Sequence, residues 1–301
     1  MLSLVRMRLH QAIDLWSASE AGNEPKQPLS GWSKRENLGL TAQAIPIKRV
    51  GTVTSITYVC AIAHRLAAKP HHAAIIAAQL VSILQRDLPS HLKPLLQEVT
   101  VHATAAGLIH FEVGDRAIAV WLDSLLNNTP KQSLPLTPVS STGEPERQLM
   151  LHSSAIFEVQ HAHARCCSLL QLAHREALIS LERLEEAPLY WYFSSPASMP
   201  WLTSADQLCC NHCADRCLLS QLLDACDHLS DPARRTQGSL LRSAQAVAQA
   251  FQVFHREHPL RGTTSEELRF TLVRLGLLIS TQRVLYTLLW DGLGLYPAVD
   301  L

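Results

Sequence analysis

Charge is scarce in this sequence. Only 17% of its 301 residues are Asp, Glu, Lys or Arg, with 26 basic side chains against 26 acidic ones, so the formal net charge is zero. A chain without net charge has no global positive field to draw it onto DNA, RNA or an anionic membrane, which argues against a general nucleic-acid binder. No DNA and no membrane partner is therefore expected. Lysine is missing from the second half: all six lie in residues 1–150, and residues 151–301 carry 12 arginines against 15 carboxylates. That asymmetry points to two units with different surfaces. The longest apolar run, near the C-terminus, is interrupted by Arg269, Arg274 and Arg283, short of the roughly 18 uninterrupted residues of a membrane helix. No basic-then-apolar leader precedes the eight cysteines, which predicts free thiols and a cytoplasmic location.

Catalytic signatures are missing too. No Gly-x-Ser-x-Gly elbow and no His-Glu-x-x-His pair occurs. No Gly-Lys pair could start a phosphate-binding loop, and Gly292-x-Gly294 has Pro297 where a third glycine would fall. No catalytic residue and no cofactor is assigned on these grounds.

What the chain does have is 47% apolar content, enough for one large or two ordinary domains. Leu2, Val5, Leu9, Ile13 and Trp16 recur at helical spacing. A strand is predicted over 45–53, a helix rich in small residues over 58–68, and a helix from Pro70 to Arg86. Two strands follow over 97–102 and 108–113, then a helix from Asp115 to Leu126. Residues 1–127 therefore read as an α+β unit. Residues 128–149 hold prolines, Ser and Thr without apolar periodicity, which is linker composition. Residues 150–301 read as an all-α helical bundle, with helices over 153–184, 204–227, 231–255 and 265–290.

Two stretches of the second half carry a resemblance. Residues 156–170, Ile-Phe-Glu-Val-Gln-His-Ala-His-Ala-Arg-Cys-Cys-Ser-Leu-Leu, resemble the first helix of the DALR anticodon-binding domain of arginyl-tRNA synthetases. Residues 241–255, Glu267-Leu268-Arg269, Gln282-Arg283-Val284-Leu285 and the ending Asp291-Gly292-Leu293-Gly294-Leu295 are similar to that domain's last two helices and terminus. In the first half, Ala61–Lys69 with Pro70, and Ala106–Phe111, resemble the same enzymes' N-terminal additional domain. There the family presents an aromatic residue and an asparagine to the tRNA D-loop; here those positions are Leu108 and His110.

The resemblance implies tRNA as partner and arginine–tRNA ligase activity with ATP. A class I synthetase, however, stabilises the charge developing on ATP through His-x-Gly-His and Lys-Met-Ser-Lys segments. Neither occurs, since Lys26, Lys34, Lys48, Lys69, Lys93 and Lys131 are followed by Gln, Arg, Arg, Pro, Pro and Gln. The expected function is thus a non-catalytic relative that binds tRNA or a tRNA-like fold. ATP enters only if the chain is a ligase after all. A protein-interaction module that has lost RNA binding is the alternative.

Candidate tRNA-contacting residues are Gln160, His161, His163 and Arg165 on the first DALR-like helix, Arg235 and Arg242 at two-turn spacing further on, and His110 in the first unit. The histidines and Arg165 have a second reading as packing residues within the bundle. Arg234, Arg256 and Arg261 extend the arginine stripe, diluted by Asp224, Asp227 and Asp231. Cys209, Cys213 and Cys217, spaced by four on one predicted helical face, are weak metal candidates. Structural zinc draws instead on C-x2-C turns, and buried thiols acting as small hydrophobes explain the pattern as well. The run Tyr190–Phe193 is a stacking platform, a plug between helices or a partner-binding patch.

Overall fold

The computed structural model describes residues 1–22, 41–51, 55–86, 98–127, 153–184, 187–232, 235–258 and 265–300. They cluster into two units, Met1–Ile118 and Ala119–Leu301. The stretch read as a linker, 128–149, lies outside the described residues.

The first unit is α+β. Helix α1 (Leu2–Gly22) is followed by β1 (Ile47–Val50), β2 (Ile56–Cys60), α2 (Ile62–Leu66), α3 (Ala73–Arg86), β3 (Val99–Ala103) and β4 (Ile109–Val113). The strands form one antiparallel sheet in the order β1-β2-β4-β3. Because strand side chains alternate in direction, the register makes one face apolar. Ile47, Cys60 and Ile109 form one row, Tyr58 and Phe111 the next, and Ile56, Val113 and Val99 a third, all buried. Helices α1 and α3 lie together, with Trp16 Nε1 donating to Gln79 Oε1 at 2.9 Å and Arg8 Nη2 to Leu84 O at 3.3 Å. The helix predicted over 58–68 is corrected to β2 plus the short α2. Residues 56–60 alternate between buried and half-buried, the two-residue period of a strand, which dominated the small residues that follow. The turn before β4 needs Gly107, at φ +79°, where a β-carbon would sit 2.7 Å from Ala73 Cβ.

Helix α4 (Asp115–Asn127) begins in the first unit, and its residues from Ala119 onward count with the second. The second unit continues with α5 (Ser153–Arg175), strands β5 (Ser180–Leu184) and β6 (Ala187–Ser195), α6 (Cys213–Leu229), α7 (Gln237–Glu257) and α8 (Ser265–Thr287), which ends in a π-helical turn, Leu288–Gly292. It is mostly helical, but the all-α expectation is corrected by the antiparallel β5–β6 pair. The helix expected to reach residue 184 stops at Arg175. Ala177 takes a left-handed φ of 56°, and the Leu178 N–H returns to Ala173 O at 3.0 Å, the closing bond of a Schellman-type end. The aromatic run 190–193 falls in β6.

Helix α6 starts at Cys213 rather than residue 204. Thr203 Oγ1 accepts from the N–H groups of Ala205 and Gln207, and the Leu202–Leu208 bridge closes a turn there instead. Helix α7 starts at Gln237 rather than 231, fixed by a capping box between Thr236 and Ser239. The central helix α8 is buried nearly all round: Leu275, Leu277, Leu278, Ile279, Leu285, Leu288 and Leu289 are inaccessible. Although arginines interrupt it, residues 267–292 are long and apolar enough to cross a membrane. The apolar stretch is nonetheless largely buried within the protein, as in a core helix.

One packing site there is tight. Trp201 is buried, and its Nε1 donates to Asp123 Oδ1 at 2.7 Å. Its ring fills the space over Gly276 of α8, where a β-carbon would come within 2.4 Å of Cη2. Gly276→Ala is expected to destabilise the protein by about 1–3 kcal/mol through overpacking, seen as a lower denaturation midpoint; an unchanged midpoint would contradict the fit.

Candidate nucleic-acid interface

The solvent-facing stripe of α5 runs Phe157, His161, Arg165, Ser168 and Leu172, all exposed, at the three- and four-residue steps of one helix face. The opposite side carries Val159, Ala162, Cys166 and Leu170, all buried, and docks against α7 and α8. This split divides the four α5 candidates. His161 and Arg165 are exposed, and the His161 ring lies against Phe157 at a centroid distance of 6.2 Å. Gln160 and His163 turn inward.

His163 is fully buried. Its Nδ1 donates to Ala298 O at 2.7 Å, while Gln282 of α8 donates its Nε2–H to His163 Nε2 at 3.0 Å. Those partners assign the neutral Nδ1–H tautomer. Burial holds its pKa below the usual value, opposed by the bond to Ala298. Gln160 donates to Tyr296 O at 2.9 Å and accepts from the Ala298 N–H at 2.7 Å.

Beside Arg165 runs α7. Glu158 accepts from the Nε2 groups of Gln245 and Gln249 at 3.5 and 3.4 Å, and Arg165 Nη2 donates to His255 Nε2 at 3.4 Å. The outward stripe of α7 presents Arg242, Gln249, Val253 and Arg256. Three guanidinium groups, Arg165, Arg242 and Arg256, therefore stand exposed on two neighbouring helices, accompanied by Glu158 and by Glu257, which pairs with Arg256 at 3.4 Å. The Arg165 charge and partial burial keep the His255 pKa below its ordinary value, burial being the larger cause. A neutral imidazole then accepts from the guanidinium without adding charge of its own.

Arg235 is exposed but precedes the capping box, so the expected common helix face with Arg242 is corrected. Arg234 and Arg261 lie outside the described residues. Of the carboxylates expected to dilute the stripe, Asp227 and Asp231 are buried. His110 belongs to the first unit, half-buried on the open sheet face, with its ring 5.1 Å from that of His102 on β3. His102 Nδ1 is 3.9 Å from Glu112 Oε1.

The cysteine spacing is corrected as well. Cys209 and Cys210 are buried in the turn before α6, Cys213 is exposed in its first turn and Cys217 half-buried, so no single helix face holds the three. Among the described residues no group of three or more His, Cys, Asp or Glu side chains is placed to hold a metal. The inner thiols of α5 are far from reactive: burial pushes Cys167 up to about 12 and Cys166 well above its usual value.

Sequence reasoning missed His255, Tyr296 and the buried pair Asp215–His258, which meets at 2.8 Å between the first turn of α6 and the end of α7. No local pattern marks these residues, because each acquires its neighbour only through tertiary packing.

The chain is 33% identical over 145 residues to an arginine–tRNA ligase from Gloeobacter violaceus (strain ATCC 29082 / PCC 7421), a match covering 47% of this chain and 22% of that enzyme. It thus spans about a fifth of the length of the curated relative it matches. No family model matches the chain, and no solved structure does. The match supports an arginyl-tRNA synthetase-like relationship and a tRNA-related family origin.

Proposed function

We propose that this chain binds tRNA through its second unit, at the anticodon region, without itself joining arginine to it. The observation that carries the reading is the face shared by α5 and α7. There Arg165, Arg242 and Arg256 are exposed in company with His161 and with Phe157, which is 62% exposed. Guanidinium groups position a phosphate backbone, and aromatic or guanidinium planes take unstacked loop bases. The similarity to an arginine–tRNA ligase supports tRNA over other RNAs. The unit would correspond to a DALR anticodon-binding domain, and residues 1–127, with His110 on the open sheet face, to an additional domain. ATP has no role in this reading, and the setting would be the cytoplasm.

Incubation with ATP, arginine and tRNA should leave the tRNA uncharged while a protein–tRNA complex forms in a mobility-shift assay. Authentic arginyl-tRNA would overturn the non-catalytic claim, and no complex would overturn tRNA binding.

A second reading, docking of a protein partner, draws on apolar exposure in the same unit. Leu172 is 44% and Val253 41% exposed, beside a guanidinium set that two carboxylates partly offset. It predicts that tRNA fails to compete with the partner and that added salt leaves binding intact.

A further inference from the structure

The last described residues fold back along α5. Beyond the π-helical turn, Gly294 adopts a left-handed φ of +68°, a conformation that glycine takes without steric cost. The strap that follows is seated by side chains reading its backbone. Gln160 donates to Tyr296 O and accepts from the Ala298 N–H, His163 donates to Ala298 O, and Gln282 fixes His163 from behind. The amide of Gln160 thus satisfies both a carbonyl and an N–H of an extended segment, which two backbone groups of a strand would otherwise do.

This seat has a consequence for one side chain. Tyr296 is 65% exposed, its ring edge-on to Trp290 at 6.0 Å, and Trp290 stacks along Tyr286 at 6.5 Å. On α5, Phe157 precedes Gln160 by one helical turn and is comparably exposed. Two exposed aromatic residues, Phe157 one helical turn from the clamp and Tyr296 on the strap it holds, suit a planar ligand, because stacking needs a ring held in place more than it needs hydrogen bonds.

We infer that Gln160 is a positioning residue that clamps the C-terminal strap so that Tyr296, with Phe157 at the same end of α5, forms a stacking surface for an unpaired nucleobase. This role rests on the tRNA reading above. Gln160 itself touches no base; it acts through the strap.

The test uses the full chain and the variants Gln160→Ala, Gln160→Glu, Tyr296→Ala and the Gln160→Ala/Tyr296→Ala double variant. Amide hydrogen exchange without RNA reads the clamp. Affinity for a short RNA hairpin with an unpaired loop, against a fully paired RNA, reads the stacking. Gln160→Ala should speed exchange at Ala298 and its neighbours while α6 and α7 amides keep their protection. Gln160→Glu loses the donor to Tyr296 O but keeps an acceptor for the Ala298 N–H, so it should speed exchange less than Gln160→Ala. Gln160→Ala and Tyr296→Ala should each weaken hairpin binding by about fivefold to tenfold, the size of one lost stack, with the salt dependence unchanged because no phosphate contact is removed. The double variant should be no worse than either single one.

Exchange at the strap that ignores Gln160→Ala would overturn the clamp. A released strap with unchanged hairpin affinity, or fully additive losses, would overturn the positioning role. If the wild-type chain binds no RNA, the tRNA reading fails and the stacking role with it, while the exchange data still decide whether Gln160 holds the strap.

Discussion

Arg165→Glu is expected to weaken tRNA binding by at least about tenfold at moderate salt. Arg165 is the exposed guanidinium at the centre of the α5 stripe, and reversing its charge would remove the proposed phosphate contact and add a repulsive one, against a balance of three arginines and two carboxylates on that face. Each phosphate contact contributes roughly 0.7–0.9 to the slope of log K against log salt, so Arg165→Ala should also flatten that slope by about this amount. Arg165→Lys should recover part of the affinity, since the point charge survives but the planar fork does not. The side chain is solvent-exposed, so its replacement leaves the fold intact. Its removal also takes away one of the two causes that depress the His255 pKa, so that pKa should rise in an NMR titration. Wild-type affinity in Arg165→Glu would remove this residue from the interface.

His163→Leu should have the largest effect on stability. The substitution leaves the part-buried Ala298 O and the buried Gln282 amide without their partner. At roughly 1–3 kcal/mol for each group left unsatisfied, the expected loss is about 2–6 kcal/mol, read from chemical denaturation. The same histidine makes stability pH-dependent. His163 and His255 both have folded-state pKa values below the usual 6.5, so near and below that pH the unfolded chain binds more protons than the folded one. Their contribution is fully present above about 6.5 and is lost as pH falls through that value towards the folded-state pKa values. Asp123, whose carboxyl is pushed up by burial, works in the opposite direction but only near carboxylate pH. Wild type should therefore lose stability as pH falls below about 6.5, and His163→Leu should lose less over the same fall. A flat wild-type profile would contradict a buried neutral His163.

Much of the fold was legible where periodicity is long. The apolar stripes of α1, α3 and α8, the strand pattern of β4 and the α+β character of the first half follow from spacing alone. What escaped was decided by single local bonds. The Ala177 turn ends α5, the Thr203 turn delays α6, and the capping box at Thr236 delays α7, and none of these disturbs the apolar pattern on which a helix boundary is read. The β5–β6 pair was hidden because residues 178–184 continue a plausible helical spacing past that turn.

The candidate site was legible in outline only. Spacing places Gln160, His161, His163 and Arg165 within two turns of one helix, yet consecutive helix positions point about 100° apart. Identity alone cannot divide them into an exposed pair and an inward pair. That division comes from which side of α5 docks against α7 and α8, and the strap completes it: Tyr296 and Ala298 arrive from more than 130 residues away and engage Gln160 and His163. The arginines of α7 required knowing where its first turn begins, which separates Arg242 from Arg235.

If the exposed guanidinium groups of α5 and α7 bind phosphate as proposed, a chain of zero net charge must show it in solution. The decisive quantity is the affinity of the wild-type protein for unfractionated tRNA across a series of salt concentrations. Three engaged guanidinium groups predict measurable binding at low salt that falls with a log–log slope of roughly −2 to −3. No binding at low salt, or binding whose strength does not change with salt, would contradict it.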